Sequence, residues 1–245
     1  MRGLYFQLDF HLPKGARALF THGRVINDTG HDVFFDWWSD IGIEETPGMR
    51  ILSGADEVVH FQPTGMRTLA GMPYYFGYCK QTEMCHRMGF DVTYPENFSF
   101  AAEYFLQSPE ELRAPWIAAA YPDGFVFFNR STERMKNKKM YTWGTHPAGM
   151  NWRDHLIDKG VGDHIEIQSG MATSQTHTLL FRDGETWEWT EAFSCAQADD
   201  TNKLHDPAIA SANEYAHRAV DAVLSEQEIY ERDAEFAALS VKTPE

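Results

Sequence analysis

The chain predicts a mostly β protein, an antiparallel β-sandwich with a C-terminal α-helical segment. Three observations predict it. Leu4, Phe6, Leu8, Phe10 and Leu12 alternate with Tyr5, Gln7, Asp9 and His11, the period of a strand. Short runs of this kind recur, separated by turn signals, which argues for antiparallel pairing. Finally, the pattern switches after about Asp199 to helical spacing with no glycine. The expected division is therefore a β-sandwich over 1–198 and an acidic helical tail over 199–245.

The elements follow in order. After the opening strand, Asn27-Asp28-Thr29-Gly30 is a turn, followed by a strand from Val33 to Trp38. Met49 to Phe61 reads as one strand or two short ones. Gly65 to Gly89 is irregular and long for a plain connection, and long loops in compact domains are often functional. Alternation resumes over Phe98, Phe100, Ala102, Tyr104 and Leu106. Two hairpins are predicted: Trp116–Tyr121 with Phe125–Asn129, and Thr176–Arg182 with Glu185–Glu191 around Asp183-Gly184. Strands are expected near Lys139–Trp143 and His164–Gln168. In the tail, Asp206-Pro207 reads as an N-cap with proline at the first helical position. Ile209, Ala212, Ala216, Ala219, Val220 and Val223 keep helical spacing, and Ser225 with Glu228 forms a capping-box pattern that starts a second helix. Such a tail could cap the sandwich, link to another domain, or bind a partner.

Composition narrows the function classes. The 245 residues carry a formal net charge of -15 and no Lys/Arg-rich block. Nucleic acid and anionic membrane surfaces are therefore not expected partners. The start lacks the apolar core of a signal peptide, and no apolar run approaches a membrane span. The expected location is the cytoplasm. Cys79, Cys85 and Cys195 are too few and unevenly spaced for a disulfide framework, and free thiols are expected. Aromatics make up 14% of the chain, enough to line a cleft for a neutral ligand.

Candidate site residues come from strand alternation. Glu166 and Gln168 share one face of a strand whose other face carries Ile165 and Ile167. A carboxylate held on a rigid strand can act as a general base, and an amide beside it can hold it or bind a hydroxyl. The same pair also fits a solvated sheet face. In Trp37-Trp38-Ser39-Asp40, Trp37 and Ser39 face one way and Trp38 and Asp40 the other. On this pattern one Trp is core and the other could stack on a sugar ring, or both are sandwich core with Asp40 ending the strand. His86 in the irregular loop, Asp91 and Tyr94 are further polar candidates. His146, His155 and His164 lie nine residues apart, unlike the close pairs of a metal site, so no metal is expected. No nucleophile elbow, phosphate loop or dinucleotide fingerprint occurs, and no cofactor is expected. Arg130, Arg134, Lys136, Lys138 and Lys139 form the one basic cluster. It reads as a solvated loop paired with local carboxylates, or as a holder for an acidic ligand group. Trp187 and Trp189 both read as core.

Seven pieces in order resemble the DUF5107 family, whose domains often stand beside tetratricopeptide repeats. They are Trp37-Trp38-Ser39-Asp40-Ile41, Gly54-Ala55-Asp56-Glu57, Asp91-Val92-Thr93-Tyr94-Pro95, Ser131-Thr132, Lys138-Lys139-Met140-Tyr141-Thr142-Trp143-Gly144, Glu166-Ile167-Gln168-Ser169-Gly170 with Gln175, and Trp187-Glu188-Trp189-Thr190-Glu191-Ala192. The resemblance runs from Leu19 to Phe193. It implies a galactose mutarotase-like β-supersandwich with a sugar or glycan site on the concave sheet face. It also implies that Glu166 is the base acting on the anomeric hydroxyl, with Gln168 beside it. The stretch matching the mutarotase acid histidine, Phe35 to Asp40, contains no histidine, so the resemblance assigns no general acid. Three chemistries follow: aldose epimerisation; glycoside hydrolysis, with Asp40, Asp91 or Glu191 as the second carboxylate; or sugar or protein binding without turnover. Family members carry further strands upstream, so the resemblance implies either a fragment of a longer chain or a reduced version whose sheet a second copy or a partner chain completes.

Overall fold

The structure, a computed structural model, describes residues 3–63, 74–81, 83, 89–158 and 161–239. Two six-stranded antiparallel sheets pack face to face. Sheet 1 runs in the order β1 (Leu4–His11), β2 (Ala18–Asn27), β14 (Thr186–Gln197), β10 (Phe125–Ser131), β9 (Trp116–Ala120) and β5 (Arg50–Ser53). Sheet 2 runs β4 (Trp38–Glu44), β12 (His164–Gly170), β11 (Asn137–Thr142), β8 (Ala102–Gln107), β6 (Glu57–Pro63) and β7 (Tyr74–Lys80). A small ribbon pairs β3 (Val33–Phe35) with β13 (Leu179–Phe181).

Alternation along each strand decides what the layers bury. Ile41 and Ile43 on β4, Ile165 and Ile167 on β12, Met140 on β11, Tyr104 and Leu106 on β8 and Val58 on β6 point inward. They meet Ile51, Ile117 and Ala119 of sheet 1. A second inward cluster joins Trp187 and Trp189 to Phe181, Met135 and Met171, with Trp37 packed against it. The other face of sheet 1 is apolar as well and is closed by helices. Phe20, Trp116, Ala118, Val126, Phe128 and Ala192 pack against Leu204, Ala212, Ala216, Val220, Leu224, Ile229 and Phe236.

Those helices are α2 (Thr201–Leu204), α3 (Ile209–Val223) and α4 (Glu226–Leu239). Arginines in or just beside sheet 1 satisfy the carbonyls left free where the helices end. Arg17 Nη2 donates to Ala222 O at 3.0 Å, and Arg130 Nη1 donates to Leu224 O and to Asp221 Oδ1, both at 2.5 Å. Arg50 Nη1 donates to Leu204 O at 3.1 Å and Asp206 O at 2.7 Å. No described helix is long and apolar enough to cross a membrane.

Several expectations change. The run from Val33 to Trp38 breaks at Asp36-Trp37, giving a ribbon strand and then β4 in sheet 2. Met49–Phe61 splits at Gly54-Ala55 into strands of different sheets, and the strand expected from Phe98 starts at Ala102. The turn at Asp183-Gly184 forms, with Glu185 N donating to Arg182 O at 3.1 Å. Its two arms do not pair: β13 joins β3 and β14 joins β2 and β10. Phe181 packs on Phe35 and Trp187, so tertiary packing overrides the local hairpin. Asp206 caps the turn before α3 by accepting from Ala208 N at 2.8 Å, and Ala208 is the N-cap residue. The basic cluster is a solvated turn only at Arg134 and Lys136, which are exposed just before β11. Arg130 is 1% exposed, Lys138 0% and Lys139 3%, because they sit in β10 and β11. An unpredicted helix, α1 (Pro147–Leu156), starts at His146, whose ring accepts from Ala148 N. Most of the irregular Gly65–Gly89 stretch lies outside the described residues.

Candidate functional site on the outer face of sheet 2

The outward residues of sheet 2 form one chain of polar contacts. The register of β12 against β4 and β11 sets Gln168 opposite Asp40 on one side and Lys139 on the other. Gln168 Nε2 donates to Glu166 Oε2 at 2.9 Å, and its Oε1 accepts from Gln175 Nε2 at 2.8 Å. Gln175 Oε1 accepts from Lys139 Nζ at 2.6 Å, and Lys139 also pairs with Glu103 at 2.8 Å. Each amide has one end accepting and one end donating, so the chain fixes both amide orientations. Lys139 lies over the rings of Phe105 and Tyr141, each 5.2 Å from its centroid.

Asp40 closes this chain on the β4 side. Its carboxyl lies within hydrogen-bonding reach of that of Glu166. Asp40 stays open to solvent on one side, yet partial burial lifts its carboxyl to about 7, aided by the neighbouring Glu166 charge and the hydrogen bond between them; Lys139 opposes the shift. Two carboxyls in contact cannot both ionise cheaply, so Asp40 keeps its proton well above the usual carboxylate range and is about half protonated near pH 7.

Trp38 stands beside the pair. It lies against Gly170 so closely that a Cβ there would stand only 2.3 Å from the indole ring atoms, and it meets Phe105 edge-on with centroids 5.6 Å apart. Trp37 points the other way, onto Trp189 at 5.3 Å between the sheets, with Nε1 donating to Ser39 Oγ at 3.1 Å. The structure therefore chooses between the two tryptophans: Trp38 shares a face with Glu166, Gln168 and Asp40, and Trp37 does not.

Asp91 and Tyr94 are not brought to this face. Asp91 pairs with Arg50 at 3.3 Å and accepts from Thr93 Oγ1 at 2.6 Å, while Tyr94 bonds to His205 Nδ1 at 3.0 Å. Both brace the junction between sheet 1 and the helices. Glu191 is fully buried between the sheets, where it accepts from Ser39 Oγ and from Asn129 Nδ2 at 3.1 Å. His86 lies outside the described residues. The site also includes Glu103, Lys139, Tyr141 and Gln175. Alternation along β11 points Lys139 and Tyr141 outward, but only the β11–β12 register shows that they flank Gln168.

Behind this face lies a second, sealed polar group. Lys138 Nζ donates to Asn129 Oδ1 at 2.8 Å and to Ser131 Oγ and Ser169 Oγ at 2.7 Å each. Burial holds its amine down to about 7, against the pull of Glu191. All three ammonium hydrogens have acceptors.

Two antiparallel sheets with an acid-bearing strand on an open face define the class, a β-sandwich of galactose mutarotase-like fold. Several solved structures resemble the chain. A TPR-domain containing protein from Parabacteroides distasonis ATCC 8503 has a TM-score of 0.61 and 17% identity, over 84% of this chain and 32% of that one. A protein from Klebsiella pneumoniae subsp. pneumoniae MGH 78578, assigned as an aldose 1-epimerase, has a TM-score of 0.55 and 9% identity, over 88% of this chain and 50% of that one. A protein from Escherichia coli K12 with the same assignment has a TM-score of 0.51 and 13% identity, over 79% and 60%. The chain thus spans a third to three fifths of these proteins, and at such identities the likeness establishes the fold. No protein-family model and no curated protein sequence matches the chain.

Proposed function

We propose that the outer face of sheet 2 binds a sugar and that Asp40 and Glu166 act as an acid/base pair at its anomeric carbon. The observation that carries this reading is that the β4–β12 register sets the Asp40 and Glu166 carboxyls side by side on one face, where partial burial and the Glu166 charge hold the Asp40 carboxyl up at about 7. Opening an aldose ring needs a base to take the proton of the anomeric hydroxyl and an acid to protonate the ring oxygen. Both oxygens are bonded to one carbon, so two adjacent carboxyls can reach both. Glu166 takes the hydroxyl proton as the carbonyl forms, the bond from carbon to ring oxygen breaks, and Asp40 protonates that oxygen. Closure on the other face reverses both transfers and returns each carboxyl to its starting state. Gln168 holds the Glu166 carboxylate, and Trp38 offers an indole face to the ring.

The fold likeness to proteins assigned as aldose 1-epimerases supports this class of chemistry. Glycoside hydrolysis fits less well. It needs a second carboxyl about 5–10 Å from the first with room between them. Asp40 is in contact with Glu166, Glu191 is sealed behind the sheet, and Asp91 is bound to Arg50. A second reading is a DUF5107-type sugar-binding module without turnover, part of a longer chain with helical repeats. The Parabacteroides neighbour, a TPR-domain protein of which this chain matches 32%, supports it.

The test is a monosaccharide and glycan binding screen by ligand-observed NMR, with anomer interconversion followed in the same tubes. Wild type should bind and interconvert at least one aldose, and Glu166→Gln and Asp40→Asn should both lose interconversion. Binding that survives in Glu166→Gln, with no interconversion in any form, selects the non-catalytic module. No sugar binding at all overturns both readings.

A further inference from the structure

We propose that β1 pairs with β1 of a second copy, antiparallel about a two-fold axis at Leu8, joining the first sheets of both copies into one. Among the described residues, β1 is the end strand of sheet 1 and has β2 on one side only. Gly3 O accepts from Asp28 N at 2.8 Å, and these two residues lie in the β1–β2 register. Odd residues therefore turn their backbone groups toward β2. Leu4, Phe6, Leu8 and Phe10 turn theirs to the free edge.

The sequence of this edge is almost a palindrome. Leu4-Tyr5-Phe6-Gln7-Leu8-Asp9-Phe10-His11-Leu12 reads alike from both ends, with Tyr5 exchanged for His11 and Gln7 for Asp9. Paired about Leu8, Leu4 would meet Leu12, Phe6 would meet Phe10, Tyr5 would meet His11, and Gln7 would meet Asp9. Every residue meets one of its own kind or a hydrogen-bonding complement. Phe6, Leu8 and Phe10 of each copy would donate and accept across the axis, using the groups that point to the edge.

Exposure and charge agree with this occupant. Phe6 is 71% exposed, Phe10 66% and Leu12 71%, all large apolar side chains on one face. The chain carries a net charge of -15, so self-association must avoid setting acid against acid. The edge holds one carboxylate and no Lys or Arg, unlike the charged edges that block pairing. An axis at Leu8 puts Asp9 opposite Gln7. An axis at Asp9 would put that carboxylate against its own copy. An axis at Gln7 would set Tyr5 against Asp9 and Phe6 against Leu8. The interface is isologous and closes with two copies.

The test is sedimentation equilibrium on the full chain. Wild type should show a concentration-dependent mass of two chains. Leu8→Lys and Leu8→Glu, each placing like charges on the axis, should be monomeric with unchanged far-UV circular dichroism. An equimolar mixture of the two should recover the dimer. Gln7→Asp leaves the apolar face intact, sets an acid opposite Asp9 in both halves, and should weaken the dimer about tenfold. A monomeric wild type at every concentration, a dimer that survives Leu8→Lys, or a mixture that stays monomeric overturns the proposal.

Discussion

Asp40 and Glu166 set their carboxyls side by side across neighbouring strands, 126 residues apart in sequence and close enough to share a proton. A hydrogen bond between two acids needs a proton, so the pair binds one more tightly than an unfolded chain would. The contact therefore has consequences for stability as well as for chemistry.

The sign follows from the direction of the shift. Asp40 titrates at 3.8 when unperturbed and at about 7 in the fold. Its contribution is fully present below pH 3.8 and is lost as pH rises through about 7, because the unfolded state releases its proton first. Asp40→Asn should remove this slope. Thermal melts should show the variant gaining relative to wild type between pH 4 and pH 8, and a constant difference across that range would count against the shared proton.

Gly170→Ala should act on Trp38 alone. The added methyl would occupy the space of the indole ring. We expect a loss of about 1–3 kcal/mol in urea unfolding, as for overpacked sites, together with a changed near-UV circular dichroism spectrum. Sugar binding should fall with Trp38 displaced, even with Glu166 and Asp40 intact.

Lys138→Met should cost about 3 kcal/mol, since it strands Asn129, Ser131 and Ser169 and leaves Glu191 buried without its cation. Adding Glu191→Gln should return part of that loss. Urea melts of the two single variants and the double variant give the coupling, and simple additivity would show that the two groups do not interact.

Arg130→Met should loosen the helices from sheet 1. It removes the bonds to Asp221 and Leu224 at the end of α3 and should cost roughly 2 kcal/mol. Hydrogen exchange should speed up in α3 and α4 before it does in β11 and β12. Uniform acceleration would mean that sheet and helices open together.

Much of the sandwich is legible in the sequence because its strands are half-buried. Ile165 and Ile167 against Glu166 and Gln168 announce their two faces, and so does the alternation along β1. The hairpin at Pro122-Asp123-Gly124 is legible because its partners are adjacent. The turn at Asp183-Gly184 misleads because turn chemistry is local, whereas Phe181 chooses its partner by packing on Phe35 and Trp187. Lys138 and Lys139 mislead because charge in sequence reads as solvent exposure. Here adjacent lysines on one strand enter two different buried networks, one on each side of the sheet. Helix α1 is missed because histidine is a weak advertisement for an N-cap. The carboxyl pair itself is invisible before the register of β4 on β12 is known.

The helical cover on sheet 1 makes the molecule one-sided. A sandwich ordinarily offers two outer faces to its surroundings. Here Phe20, Trp116, Phe128 and Ala192 are closed off by α3 and α4, so one outer face is covered and the other carries the polar chain around Glu166 and Gln168. A surface-immobilised or tagged form held through Arg218 or Glu235, exposed on those helices, would present the Asp40–Glu166 face outward on every molecule. For an experimenter, the chain has a handle on one side and the candidate site on the other, set by where its apolar residues fall.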